Sequence, residues 1–293
     1  MSFLSPSFLQ KLGRARLGVR HVTASTGIGE RQSRSIGSGI EFTDHRAYQF
    51  GDDTRKVDPH ILARLGKHYV RQYSVSQALQ VTILLDTSQS MRIGEPSKFD
   101  FGRSLAAALA YAGLSGGDQV LVGAFTRHHV DWHHRLQGSE RTASLLAWLS
   151  GLKTDGATEF HRAIRGAAHR MGRVPGLTIV ISDWFFDGVA DALATLSATG
   201  QEVLAIHLLS PEEIDPETLG TGNVRLVDAE VGHEVETTFS SELHRLYREK
   251  LGSWTEELKA QVRFRGGRYV RVRSDDDLER LFLRDWRREG LIA

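Results

Sequence analysis

Strand-like and helix-like patterns alternate through the middle of this chain. Val81 to Leu85 is apolar on both faces, as are Leu177 to Ile181 and most of residues 119–125 and 202–209, which predicts strands buried inside a parallel sheet rather than half-exposed ones. Between them the apolar period lengthens. Leu105, Ala108, Leu109 and Ala112 form one stripe of a helix over residues 99–115, closed by Gly116-Gly117-Asp118, and further helices are predicted over 140–150, 159–172 and 188–199. Residues 130–136 add an edge strand. Strands alternating with helices of this length predict an α/β fold, with a mostly parallel sheet covered by helices on both faces and right-handed connections.

The ends of the chain read differently. Phe8, Leu9, Leu12 and Leu17 share one face of a short amphipathic helix over residues 5–17. After Ser210-Pro211 the pattern predicts a hairpin (224–231 and 234–239, around Gly232), a long helix over 240–262, a strand over 269–272 and a helix over 275–288. The organisation expected is an N-terminal helix, loop and charged segment over 1–79, the sheet domain over 80–210, and a hairpin plus helical part over 211–293 that completes it.

Composition narrows the function classes. The chain has 293 residues, a formal net charge of +1 and no cysteine, which removes disulfides, thiolate metal sites and thiol nucleophiles. Near-balanced charge gives no general case for binding nucleic acid, and no run approaches the roughly twenty apolar residues of a membrane span. With no export pattern at Met1 to Arg20, the expected location is cytoplasmic. The glycine-rich stretch Gly27 to Gly39 has no lysine-serine or lysine-threonine after its glycines, so it is not a phosphate-cradling loop.

The candidate chemistry lies at Leu85-Asp86-Thr87-Ser88-Gln89-Ser90. A buried strand delivers Asp86 to the carboxyl edge of the sheet, where ligands of such sheets collect, and two hydroxyls follow at alternate positions. Mg2+ takes six oxygens and keeps some of its waters, so a carboxylate and two hydroxyls suit it. Asp183 follows a second buried strand, and Thr158 lies in the glycine-containing turn Thr154 to Phe160. Asp86, Ser88, Ser90, Thr158 and Asp183 resemble the metal-ion-dependent adhesion site of von Willebrand factor A domains over residues 80–210. That resemblance implies a von Willebrand A-like fold and an Mg2+ ion, or Mn2+ or Ca2+, whose open coordination position takes an acidic side chain of a partner. In a haloacid-dehalogenase-like phosphatase the residue two after the first aspartate is an acid, whereas here it is Ser88, so no enzyme is expected.

Upstream, Gly39-Ile40-Glu41-Phe42, Arg46-Ala47-Tyr48, Gly51-Asp52-Asp53-Thr54-Arg55-Lys56-Val57-Asp58 and Ala63-Arg64 are similar to motifs of a bacterial family known only as domain of unknown function fifty-eight. Pro59 stands where that family has tryptophan. Its members are encoded beside MoxR-type AAA+ ATPases, which implies an adaptor or co-chaperone linking such an ATPase to a client protein. Asp52, Asp53 and Asp58 against Arg46, Arg55 and Arg64 are expected to form a charge network clamping the segment to the sheet. His128, His129, His133 and His134 are read as surface residues, because neighbours on a strand face opposite ways. So is the pair Asp228 and Glu230, while Arg284, Arg287 and Arg288 complement a helix dipole. Trp184-Phe185-Phe186 should lie beside the metal, partly buried and partly available to a partner.

Overall fold

The computed structural model describes residues 4–19, 40–75, 78–125, 129–154, 156, 160–171, 176–216, 222–227 and 234–293. They form two compact units, one of Met1–Arg20 with Leu79–Ala293 and one of His21–Ala78. The expected segment 1–79 is therefore divided between them. Helix α1 (Pro6–Leu12) is capped by Ser5 and stops at Gly13, so it is shorter than its apolar spacing predicts. Leu17, read as part of that helix, instead bridges Ile292 in an extended pairing. Phe8 packs edge-on against Phe282, with ring centroids 5.9 Å apart.

The smaller unit is built on β1 (Ile40–Ala47), α2 (Pro59–Leu65) and β2 (Tyr69–Val75), with β1 and β2 paired antiparallel. Its carboxylates mostly cap rather than clamp. Asp58 accepts from His60 N at 2.9 Å and Ile61 N at 3.4 Å, starting α2, and lies 2.9 Å from His45 Nε2. Pro59 then takes the first helical position, where a missing N–H costs nothing. Asp53 accepts from Arg55 N, and Arg46 pairs with Asp52 at 2.8 Å. Arg46–Asp52 is thus the expected kind of pair, whereas Asp58 serves a helix terminus, a backbone role that Asp-Pro signals and that a count of charges overlooks. Asp58→Ala should cost about 1–2 kcal/mol, measured as the loss of protection of α2 amides from hydrogen exchange. Unchanged protection would show that His60 N and Ile61 N do not depend on this cap.

The larger unit continues with β3 (Gln80–Asp86), α3 (Lys98–Ser115), β4 (Gln119–Phe125), β5 (Val130–Trp132), β6 (Leu136–Gln137), α4 (Thr142–Gly151), α5 (Phe160–Met171), β7 (Gly176–Ser182), α6 (Val189–Ser197), β8 (Glu202–Leu209) and α7 (Pro211–Ile214). Then come β9 (Gly222–Val227), β10 (Glu234–Phe239), α8 (Ser241–Phe264) and β11 (Arg268–Arg273). A final helical stretch holds α9 (Leu278–Arg280), a π turn and α10 (Trp286–Arg288). Strands pair in the order β11-β8-β7-β3-β4-β5, with β6 also on β4. All pairings are parallel except those of β5 and β6 with β4. This is the mostly parallel, helix-covered sheet that the von Willebrand A resemblance implies. Strands β3 and β8 are buried at every position, which explains their unbroken apolar runs. The predicted edge strand divides into β5 and β6, and the predicted hairpin forms its own two-stranded sheet, β9 with β10. Asp228 and Glu230 lie outside the described residues. Strand β11 joins β8 in parallel and forms one edge of the main sheet.

Candidate metal centre

The strand order reverses at one place. Beginning at β3, the chain builds outward through β4 and β5, then returns to place β7 on the other side of β3 and continues to β8 and β11. In such doubly wound sheets the crevice beyond the carboxyl ends of the two central strands is the ligand position. Asp86 ends β3 and Asp183 follows β7, so both carboxylates arrive there, each 2% exposed. Geometry thus brings together two residues far apart in the chain because their strands are neighbours.

The loop after β3 is turned by Asp86 itself, whose Oδ1 accepts from Ser88 N at 2.9 Å, while Oδ2 accepts from Ser182 Oγ at 2.6 Å. Ser88 Oγ and Ser90 Oγ lie 2.9 Å apart, so the two hydroxyls converge. Gln89 N donates to Gly156 O at 3.2 Å, which brings Gly156 of the Thr154 to Phe160 segment against this loop. Thr158 lies outside the described residues. Asp183 Oδ1 accepts from Phe185 N at 3.2 Å and Oδ2 from Lys98 Nζ at 2.7 Å. Of the five expected residues, Asp86, Ser88, Ser90 and Asp183 stand at one crevice.

Three groups at this edge escaped the sequence reading. Lys98, the first residue of α3, is fully buried and also donates to Glu213 Oε1 at 2.6 Å. Burial pushes its ammonium down, and Asp183 and Glu213 together more than reverse this, so it is held above its ordinary value and stays charged. Glu213 belongs to a reciprocal cap with Ser210 at the start of α7, which the run Ser-Pro-Glu-Glu signals. His207 lies opposite Ser182 in the pairing of β7 with β8, with Nδ1 2.7 Å from Tyr269 Oη. Burial lowers it to about 4, so it adds no charge at neutral pH.

The donor set fits a hard divalent cation. Burial first, and Asp183 second, raise the Asp86 carboxyl to about 6, against hydrogen bonds from Ser182 and Ser88 that lower it. A carboxylate pair in this state is relieved by a positive charge between its members. Among the described residues Asp183 and Glu213 share the ammonium of Lys98, while Asp86 bonds only to Ser88 N and Ser182 Oγ.

Trp184 turns the chain away from the site with φ 61° and is buried, its Nε1 donating to Ile206 O at 3.1 Å. Phe186 packs beside it on Phe160, whereas Phe185 is 42% exposed. The aromatic triplet therefore divides as expected. The surface reading of the histidines fails at His133, which is buried with its ring 4.0 Å from that of His134 and 5.6 Å from Trp148, because β5 ends at Trp132 and the alternation of a strand no longer separates the pair; His129 pairs with Asp131, and His128 lies outside the described residues. Among the described residues no three His, Cys, Asp or Glu side chains form a metal cluster. The residues expected from the sequence bring hydroxyls as well, at Ser88 and Ser90, 2.9 Å apart. No helix among the described residues is long and apolar enough to cross a membrane.

A family model described as "Protein of unknown function DUF58" matches residues 44–255. Uncharacterized proteins of Mycobacterium tuberculosis and Mycobacterium bovis are 28% identical over 252 residues, covering 82% of this chain and 77% of theirs. Among solved structures, the conserved hypothetical protein BatB from Bacteroides thetaiotaomicron gives a TM-score of 0.43 at 17% identity, covering 69% of this chain and 94% of that one. The SpRpn10 VWA domain gives 0.40 at 11%, covering 69% and 92%. At these scores the likenesses add nothing to what the strand order itself establishes.

Proposed function

Since this chain belongs to the family described as protein of unknown function DUF58, we propose that it is a metal-dependent protein-binding adaptor working with a MoxR-type AAA+ ATPase on a client protein. The observation that carries this reading is the meeting of Asp86, Ser88, Ser90 and Asp183 at the sheet's reversal point. Ser88 and Ser90, with Thr158, would hold Mg2+, and Asp86 and Asp183 would balance its charge. When bound, the ion supplies an open coordination position that selects a carboxylate.

This chain's own residues supply the rest. Asp86 shapes the loop through Ser88 N and is braced by Ser182, so the hydroxyls are preorganised before any ion arrives. Phe185, exposed next to Asp183, offers an aromatic anchor beside the crevice. Ser88 stands where a phosphatase of the haloacid-dehalogenase type needs an acid, which favours recognition over turnover. The test is capture of the cell's MoxR-type ATPase on immobilised protein in Mg2+ and in chelator. Retention should be lost in chelator and weakened by Thr158→Ala. Equal retention in both would leave the metal no part in recognition.

A further inference from the structure

Lys98 sits where a lysine is least expected. It is the first residue of an 18-residue helix, where the helix dipole disfavours a cation, and it is fully buried, where an unpaired charge is costly. Two carboxylates hold it there, Asp183 at 2.7 Å and Glu213 at 2.6 Å. The surroundings are built to keep it in place. Glu213 uses its other oxygen to accept from Ser210 N at 2.8 Å. Just before α3, Gly94 approaches Ser210 so closely that a Cβ would lie 2.7 Å from the serine Cβ, at a φ of 99°. The loop leading into Lys98 is thus closed onto the cap that presents Glu213.

The consequence falls on Asp183. Its Oδ2 carries the ammonium, and its Oδ1 is already turned to Phe185 N. A cation approaching this carboxylate meets a fixed positive charge behind it. Resting on the metal reading above, we propose that Lys98 is a selectivity-determining positioning residue: it keeps Asp183 from direct coordination and supplies an internal countercharge. The site then binds a divalent ion weakly alone and strongly only together with an anionic side chain of a partner. Lys98 couples metal and partner by charge, and the coupling is reciprocal.

Calorimetric titration of the intact chain with Mg2+ tests this. Lys98→Gln removes the charge and leaves an amide N–H as donor on a side chain one atom shorter, so Mg2+ should bind at least about tenfold more tightly. Adding Asp183→Asn should erase that gain, and the same change beside the native lysine should weaken Mg2+ no less than Glu213→Gln does. Glu213→Gln should have the opposite sign, weakening Mg2+ severalfold because the ammonium is less neutralised, and it decides the matter if Lys98→Gln does not fold. Native protein that binds Mg2+ with Lys98→Gln unchanged or weaker overturns the role of Lys98 and leaves the metal reading standing. Native protein with no measurable binding alone while Lys98→Gln binds is the extreme of the expected result and supports both Lys98 as the countercharge and the metal reading. No binding by any folded variant overturns both.

Discussion

Asp86→Asn should remove Mg2+ binding and yet leave the metal-free protein more stable than the native one at neutral pH. Buried beside Asp183, the Asp86 carboxyl titrates at about 6 in the folded protein against an ordinary value of 3.8. Between these values the folded state holds the proton more tightly than the unfolded state. Stability therefore falls as pH rises from about 4 to about 6 and stays lower above it. The gap of about two pH units is worth about 3 kcal/mol at most. Asparagine carries no charge and should show no such slope from this position. Mg2+ should restore the native protein above pH 6 and do nothing for the variant, and its affinity should weaken about tenfold per unit below pH 6, as a proton competes for Asp86. Denaturant unfolding at several pH values, with and without Mg2+, checks this. Flat metal-free stability from pH 4 to 6, or an asparagine variant still stabilised by Mg2+, would refute it.

Trp184→Ala should be the most destabilising single change near the site, by about 3–5 kcal/mol. The indole is buried against Phe160 and Phe186, with ring centroids 5.9 Å away in each case. Trp184→Phe should cost about 1–2 kcal/mol, because it keeps an aromatic ring and leaves Ile206 O without its indole donor. The order of the two variants in chemical denaturation is the critical result. An alanine variant no worse than the phenylalanine one would show that the ring does not fill the space between α5 and β7.

The sheet was legible because its burial is nearly uniform. Strands β4 and β8 end where the apolar runs do and begin one residue before them, at Gln119 and Glu202, and Asp86 was readable because a strand end, a carboxylate and alternating hydroxyls sit within five consecutive residues. Lys98 was not legible. Its partners lie 85 and 115 residues away, and a lysine after a capping serine ordinarily marks a solvated turn. The smaller unit misled for another reason. Its charges suggested mutual pairing, whereas Asp58 mostly serves backbone N–H groups at the start of α2, a role set by the proline that follows.

The brace from Ser182 to Asp86 spans 96 residues of chain. The crevice is incomplete until β7 has docked beside β3, and parallel pairings of such separation form late and slowly because the intervening loop must first be closed. A nascent or partly unfolded chain therefore presents Asp86 without its complement, and nothing that reads the assembled crevice engages it. Mg2+ would in this way act as a proofreader of completed folding, slowing unfolding of the finished sheet and remaining indifferent to the rate at which the sheet is made.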